Sequence, residues 1–549
     1  MADRRHRPVF TRGVAGPRPG NELPVKPTDD RSPGMISTAG IAAPEIWRHY
    51  HESTKHSPES LRQARHGLDW ANMPDPFRHY DGVPVLDLPA DPPAPQQRAL
   101  QVLEGFSGTT SVEDGAHFLS ELLFYSAAIS ASKLVASTGY RYALRVNPSS
   151  GNLHPTEFHF LTRGLRDWPD GLYHYRPSSH MAEQRAVGCL ETKLTPDTSP
   201  LLFILTSIAW REAWKYGERA YRYCLHDIGH AWQALALAAR AMGCNAYALG
   251  RFPDDEVAQS CRLNEDEWPM LILEVHGRFI PRGRPENRDL VWFEGKANQL
   301  SPEPIKFPLI SAIHGATRLP VSTDVSSMFR RSSRRSASAS GGEFHLPSPD
   351  SSNRSFGETV RARRSALDFL GGAHTISLAQ LATILHIATQ PLSADFADGR
   401  FVDLYLYAHR VGQLPPGLYR YWEESATIEK IRGGDQRVMA AGLSLGQQLA
   451  GNACVTFSMA GDLETATKLH GNRGYRYAHF EAGAIGHRLY LAAEALGLGA
   501  TGIGAFYDDE VNRYLNLDRE PRQVLYHFAI GYPIPDPRLS AKSSGREPA

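Results

Sequence analysis

The sequence predicts a mixed α and β fold, of the α+β class, built twice in tandem. Three observations predict it. Arg219–Val257 (RAYRYCLHDIGHAWQALALAARAMGCNAYALGRFPDDEV) returns as Arg473–Val511 (RGYRYAHFEAGAIGHRLYLAAEALGLGATGIGAFYDDEV) without a gap, with roughly 18 identities over about 39 positions. The Ala/Leu-rich run after Gly229, and again after Gly483, has helical spacing. Apolar runs of period two, the mark of half-buried strands, surround that helix in both copies.

The strands follow in matching order. Phe158 to Leu161 alternates ahead of Gly171-Leu-Tyr-His-Tyr175, and Leu404 to Tyr407 ahead of Gly417-Leu-Tyr-Arg-Tyr421. Met270-Leu-Ile-Leu-Glu-Val-His-Gly277 is echoed by Val524-Leu-Tyr-His-Phe-Ala-Ile-Gly531. Two copies about 250 residues apart make a domain duplication rather than a solenoid. The expected division is an N-terminal tail over 1–44, a first domain over 45–300, a linker over 301–357, a second domain over 358–537 and a tail over 538–549. The linker reading rests on FRRSSRRSASASGGEF and PSPDSSN, which have the composition of a solvated tether.

Composition excludes several classes. With 59 Lys+Arg against 59 Asp+Glu in 549 residues, no global field draws nucleic acid or an acidic membrane. Five scattered cysteines without a C-x-x-C read as reduced, buried thiols rather than a metal site or a disulfide framework. The start MADRRHRPVFTRG lacks an apolar core and no run reaches about 18 apolar residues, so a soluble, cytoplasmic protein is expected.

The sharpest local motif is Arg145-Val-Asn-Pro-Ser-Ser-Gly-Asn-Leu-His-Pro155, ahead of a strand. Pro148, Ser149, Ser150 and Asn152 force a turn whose backbone N–H groups and short side chains can hold an anion or the polar edge of a flat cofactor. Turn chemistry alone leaves an ordinary loop as an equal reading.

P-S-S-G-N-x-x-P before a strand is similar to the flavin-contacting loop of the nitroreductase family. R-x-x-P-S-x-G together with Trp214-Lys-Tyr-Gly-Glu-Arg-Ala-Tyr-Arg-Tyr223 and Asp227-Ile-Gly-His230 resembles its SagB-type dehydrogenases, the thiazole/oxazole oxidases. Tyr50-His-Glu-Ser-Thr-Lys55 resembles their opening segment, and the likeness covers most of 45–300 and 355–537. The resemblance implies a nitroreductase-like fold, each copy an antiparallel-rich sheet flanked by helices, the two packed as an internal pseudo-dimer with FMN bound between them. One copy would offer the Pro-Ser-Ser loop, and the other an R-R-S-x-R segment for the phosphate and a glycine turn for the ring.

Here those contributions are divided. The first copy keeps Pro148–Asn152, but no R-R-S precedes its Leu119-Ser-Glu-Leu-Leu helix. The second has Arg363, Arg364 and Ser365 before Leu378-Ala-Gln-Leu-Ala, yet carries Pro391-Leu-Ser-Ala-Asp-Phe-Ala-Asp-Gly399 in place of the loop. One composite flavin site is therefore expected, joining Arg145, Pro148, Ser149, Ser150 and Asn152 to Arg363, Arg364, Ser365, Gly502 and Gly504. Leu367 stands where R-R-S-x-R has its last arginine. The other half-site, with Asp395 and Asp398 near Gly250 and Arg251, is expected to repel a phosphate and stay empty.

The resemblance also implies oxidation of a peptide-derived azoline or related small molecule, with a cyclodehydratase as candidate partner. Lys215 and Tyr216 would abstract a proton or polarise the ring, which requires a lowered pKa. The second copy reads Lys468-Leu-His-Gly and lacks that pair. His154 and His230 read as packing residues, Arg222 and Arg476 as structural braces, and Asp254 and Asp508 as helix starts. Two other readings stay open: an NAD(P)H-dependent nitroreductase or flavin reductase, and a flavin-less scaffold in a peptide-modifying complex.

Overall fold

The computed structural model describes residues 45–63, 67–107, 111–136, 139–188, 199–280, 290–320, 343–397, 400–518 and 520–542. The tail over 1–44, Asp398 and most of the arginine-serine stretch lie outside the described residues.

In the first copy the principal elements are helix α1 (Gly115–Phe124), the hairpin β1 (Ile129–Val135) and β2 (Tyr140–Arg145), and strands β3 (Thr156–Thr162), β4 (Gly171–Arg176), β5 (Met181–Val187) and β6 (Leu201–Ser207). Helices α2 (Ala209–Tyr216) and α3 (Ala220–Ala241), strand β7 (Asn245–Leu249), helix α4 (Asp254–Ser260) and strand β8 (Trp268–His276) complete it. Helix α5 (Pro308–Ala316) follows. The second copy runs α6 (Phe356–Ala362), α7 (Leu378–Ala388), β9 (Val402–Ala408), β10 (Gly417–Trp422), β11 (Thr427–Gly433), β12 (Val455–Asp462) and α8 (Leu463–His470). It continues with α9 (Gly474–Ala495), β13 (Gly499–Ile503), α10 (Asp508–Tyr514), β14 (Arg522–Gly531) and β15 (Leu539–Ala541).

The duplication is visible strand by strand. The first sheet is ordered β7-β8-β6-β3-β4-β5 and the second β13-β14-β12-β9-β10-β11, every one of these pairings antiparallel. The expected α+β class and tandem copies hold. Two boundaries differ from expectation. Helix α5 lies inside the span read as linker, because Leu309, Ile310 and Ile313 are buried apolar residues at helical spacing. Strand β15 lies inside the span read as tail and pairs with β1 of the first copy, Leu539 opposite Lys133 and Ala541 opposite Ala131.

The long helices α3 and α9 are buried along almost their whole length and cross where the repeat places a glycine in each. A Cβ on Gly229 would strike the carbonyl of Phe480, and one on Gly483 the carbonyl of His226. Only glycine permits that approach. The crossing is clamped by reciprocal ion pairs. Arg219, just ahead of α3, and Arg222 of α3 bind Asp508 of the second copy at 2.9 and 2.8 Å. Arg476 of α9 binds Asp254 of the first at 2.8 Å, and Arg473 joins it. Asp254 and Asp508 do begin helices, but their carboxylates serve the opposite copy. Arg222 and Arg476 are braces, as read from sequence, and what they brace is the interface.

Among the described residues no helix is long and apolar enough to cross a membrane, and no cluster of His, Cys, Asp or Glu is suited to a metal ion.

Candidate functional site

A cavity of about 440 Å³ opens between the copies. Its walls include Arg145, Pro148, Ser149, Ser150 and Asn152 from the first copy and Arg363, Arg364, Ser365, Gly502 and Gly504 from the second. All ten residues expected to bind the cofactor from sequence thus line one space. Strand β15 closes one side through Leu539, with Asp536 bound to Lys133 at 3.0 Å.

The loop after β2 owes its shape to local chemistry. Gly151, Asn152 and His154 all have positive φ (59°, 61° and 49°), a conformation natural for glycine, tolerated by asparagine and strained for histidine. Side chains hold it there. Ser149 Oγ accepts the His154 N–H at 2.8 Å, and Asn152 Nδ2 donates to the Ala143 carbonyl at 3.0 Å. Ser150 donates its N–H and its hydroxyl to Asp227, both at 3.1 Å to Oδ1. Arg211, buried and paired with Glu157, ties down the far end by donating to the His154 carbonyl at 2.8 Å. Ser150 and Asn152 thus shape the loop, with their polar atoms engaged inside the protein.

The second copy supplies cations. Arg363 donates to the Val146 and Arg145 carbonyls, and Arg364 to that of Ser130 at 2.8 Å. Arg145 Nε and Nη1 and Arg363 Nη1 are buried without a hydrogen-bond partner. Burial lowers the Arg145 pKa to about 10. It lowers Arg364 to about 9, helped by repulsion from Arg363 and Arg361. Buried, crowded guanidiniums with spare donors fit an anion, and a phosphate above all. The glycine turn sits opposite. A Cβ on Gly502 would strike the Tyr526 hydroxyl and one on Gly504 the Tyr223 ring. The Gly502 N–H is taken by the Tyr490 hydroxyl at 3.0 Å, and that hydroxyl also bonds Ser365 Oγ at 2.8 Å.

Lys215 and Tyr216 end α2 and reach over the loop: a Cβ on Gly151 would lie 2.6 Å from the Tyr216 hydroxyl and 3.2 Å from Lys215 Nζ. Gly217, at φ 56°, ends the helix directly after them. Their electrostatics diverge. Burial lowers Lys215 below the ordinary lysine range, Glu212 opposing. Burial, then Glu212, raises Tyr216 well above the tyrosine range. The requirement for a lowered pKa is therefore met by Lys215 alone, and Tyr216 remains a hydrogen-bond donor. In the second copy α8 ends on Leu469 and His470 before Gly471, in place of this pair.

The opposite half-site is filled by the protein. Asp395 accepts the N–H groups of Gly250 at 2.7 Å and Arg251 at 3.1 Å, and Phe396 stacks on Tyr477 at 4.2 Å. The carboxylate occupies the position of an anion rather than merely repelling one.

Sequence reasoning missed Glu212 as a site residue and singled out Asp227 only within a motif. The available signal was asymmetry: Ala466 occupies the Glu212 position in the second copy, whereas Asp227 is matched by Glu481, which accepts the N–H groups of Phe401 and Val402.

Comparison with known proteins agrees with this architecture. A model described as the nitroreductase family matches residues 127–278 and 360–532. MJ1384 of Methanocaldococcus jannaschii, named as a nitroreductase, is 32% identical over 120 residues, 22% of this chain and 61% of that one. The trifolitoxin operon protein TfxC of Rhizobium leguminosarum bv. trifolii is 41% identical over 66 residues, 12% of this chain and 18% of that one. The chain therefore spans less than two thirds of either relative. A crystal structure of an Anabaena variabilis protein named as a nitroreductase superposes with a TM-score of 0.69 at 25% identity, covering 89% of this chain and 99% of that one.

Proposed function

Since the chain belongs to the nitroreductase family, we propose that it is an FMN-dependent oxidoreductase of the SagB type, binding one flavin per chain between its two copies. Its substrate would be a peptide-derived azoline or a related small molecule. The observation that carries this reading is the placement of Lys215 and Tyr216 over the Ser149–Asn152 loop, with Tyr216 lining a cavity walled by arginines of the other copy.

Bound there, the flavin supplies a two-electron acceptor. Arg145, Arg363 and Arg364 are the groups suited to its phosphate, compensating for Leu367 where a further arginine is absent. Lys215, its ammonium destabilised by burial, takes a proton from the substrate. Tyr216 donates a hydrogen bond that orients the substrate. The loop and β15 narrow the mouth and exclude water. Likeness to a trifolitoxin operon protein supports a role in modifying a larger natural product, in which a cyclodehydratase would supply the azoline.

The test is incubation of flavin-loaded protein with an azoline-containing peptide, read by mass spectrometry. Loss of two hydrogens, abolished in Lys215→Met, is the expected result. Efficient NAD(P)H oxidation with a nitroaromatic acceptor and no peptide oxidation would favour a general nitroreductase instead.

A further inference from the structure

Two carboxyl groups beneath the loop have no part in the scheme above. Glu212 on α2 and Asp227 on α3 are 0% and 1% exposed and lie within electrostatic reach of each other. Ser150 binds Asp227 through its N–H and hydroxyl, and Ser149 Oγ lies 3.5 Å from Glu212 Oε1. Glu212 Oε2 is buried without a partner. Among the described residues neither carboxyl makes an ion pair with an arginine.

The groups facing the pair are Lys215 and Tyr216 at the end of α2, Tyr223 and Cys224 on α3, and Tyr526 on β14. Lys215 is the one cation among them, one turn from Glu212 on α2, and Asp227 itself lines the cavity beside Tyr216. Two carboxyls forced together away from water cannot both ionise at neutral pH. Glu212 is pushed well above the carboxylate range by burial, then by Asp227. Burial raises Asp227 to about 7. The pair titrates as a unit, holding one proton in the neutral range and able to accept a second.

We propose that Glu212 and Asp227 are a proton-sharing acid pair that receives, by way of Lys215, the proton the substrate loses as it is oxidised. The inference rests on the flavin reading of the cavity. In that oxidation one C–H bond of the substrate breaks with its electron pair passing to the bound flavin. A second hydrogen leaves as a proton to neutral Lys215. Lys215 then hands that proton to the ionised carboxylate of the pair and is again a free amine. The pair, now carrying two protons, then returns one to solvent. Glu212 and Asp227 thus act through Lys215 and are proton-relay residues.

Infrared spectroscopy of the flavin-free protein reads the pair directly. At neutral pH we expect a protonated carboxyl band characteristic of a dry environment, weakened in Glu212→Gln. In wild type it should grow by about twofold as pH falls through about 7, as the second carboxyl gains its proton. In the flavin-loaded protein, two-electron reduction by an azoline-containing peptide should increase the same band. Absence of the band in wild type, or a band undiminished in both Glu212→Gln and Asp227→Asn, overturns the acid pair. A band that is present but unchanged on reduction overturns the relay. Failure to load flavin overturns the cofactor reading and the relay with it, while the flavin-free band still decides whether the pair shares a proton. The wild-type titration keeps the test decisive should either variant fail to fold.

Discussion

Arg363, in the second copy, donates from Nη2 to the backbone carbonyl of Arg145, in the first, at 3.2 Å. The contact welds the R-R-S segment of one copy to the strand leading into the Pro-Ser-Ser loop of the other. It leaves both guanidiniums buried beside one cavity with donors unused. A site assembled in this way exists only when the copies are docked.

Arg364→Ala removes a half-buried cation and no ion pair. FMN affinity is expected to fall at least about tenfold, about 1.4 kcal/mol, with little change in melting temperature. Fluorescence titration alongside thermal denaturation separates the two effects.

Lys215→Met should lower turnover by about 10²–10⁴ without releasing flavin. Tyr216→Phe, which removes one hydrogen bond from a hydroxyl that stays protonated, should cost about tenfold. In wild type the rate should rise as pH rises through the lowered Lys215 value, because the free amine is the active form. That limb should vanish in Lys215→Met. Steady-state pH profiles of the three proteins check all of this.

Asp508→Ala would leave Arg219 and Arg222 buried without their counter-ion, an expected loss of about 3–5 kcal/mol in denaturant unfolding. The pH dependence has a definite sign. Arg476 and Arg473, outweighing desolvation, lower the folded pKa of Asp254 to about 2 from an ordinary 3.8. The stabilisation is therefore fully present above the ordinary value and is lost as pH falls through about 2. Acid unfolding of wild type and Asp254→Asn should diverge above that window and converge below it.

Gly229→Ala drives a methyl group into the Phe480 carbonyl at the helix crossing. A loss of about 1–3 kcal/mol, with weakened flavin binding from displaced copies, is expected by calorimetry and titration.

What the sequence revealed and what it hid divide along one physical line. The duplication, the long helices and the loop were legible because repeats, helical periodicity and turn residues are local signals. Gly229 and Gly483 stood out as aligned glycines, though nothing local said that they touch. The exchange of Asp254 and Asp508 between copies was not legible, since each carboxylate finds its arginines more than 200 residues away. Asp395 was read as a repellent charge, and only the fold shows it seated on the Gly250 and Arg251 N–H groups. Glu212 gave no periodic signal at all. Burial and the proximity of Asp227 make it chemically unusual, and both arise from tertiary packing.

The central claim is one composite flavin site per chain, and counting flavin tests it most directly. The released flavin is identified and quantified against protein for wild type, Ser149→Ala and Arg364→Ala. The account predicts close to one FMN per chain, reduced by substitutions on either side of the interface. Two per chain would contradict the occlusion of the second half-site by Asp395 and Phe396. None, even after reconstitution with excess FMN, would contradict the oxidoreductase reading and leave a flavin-less scaffold.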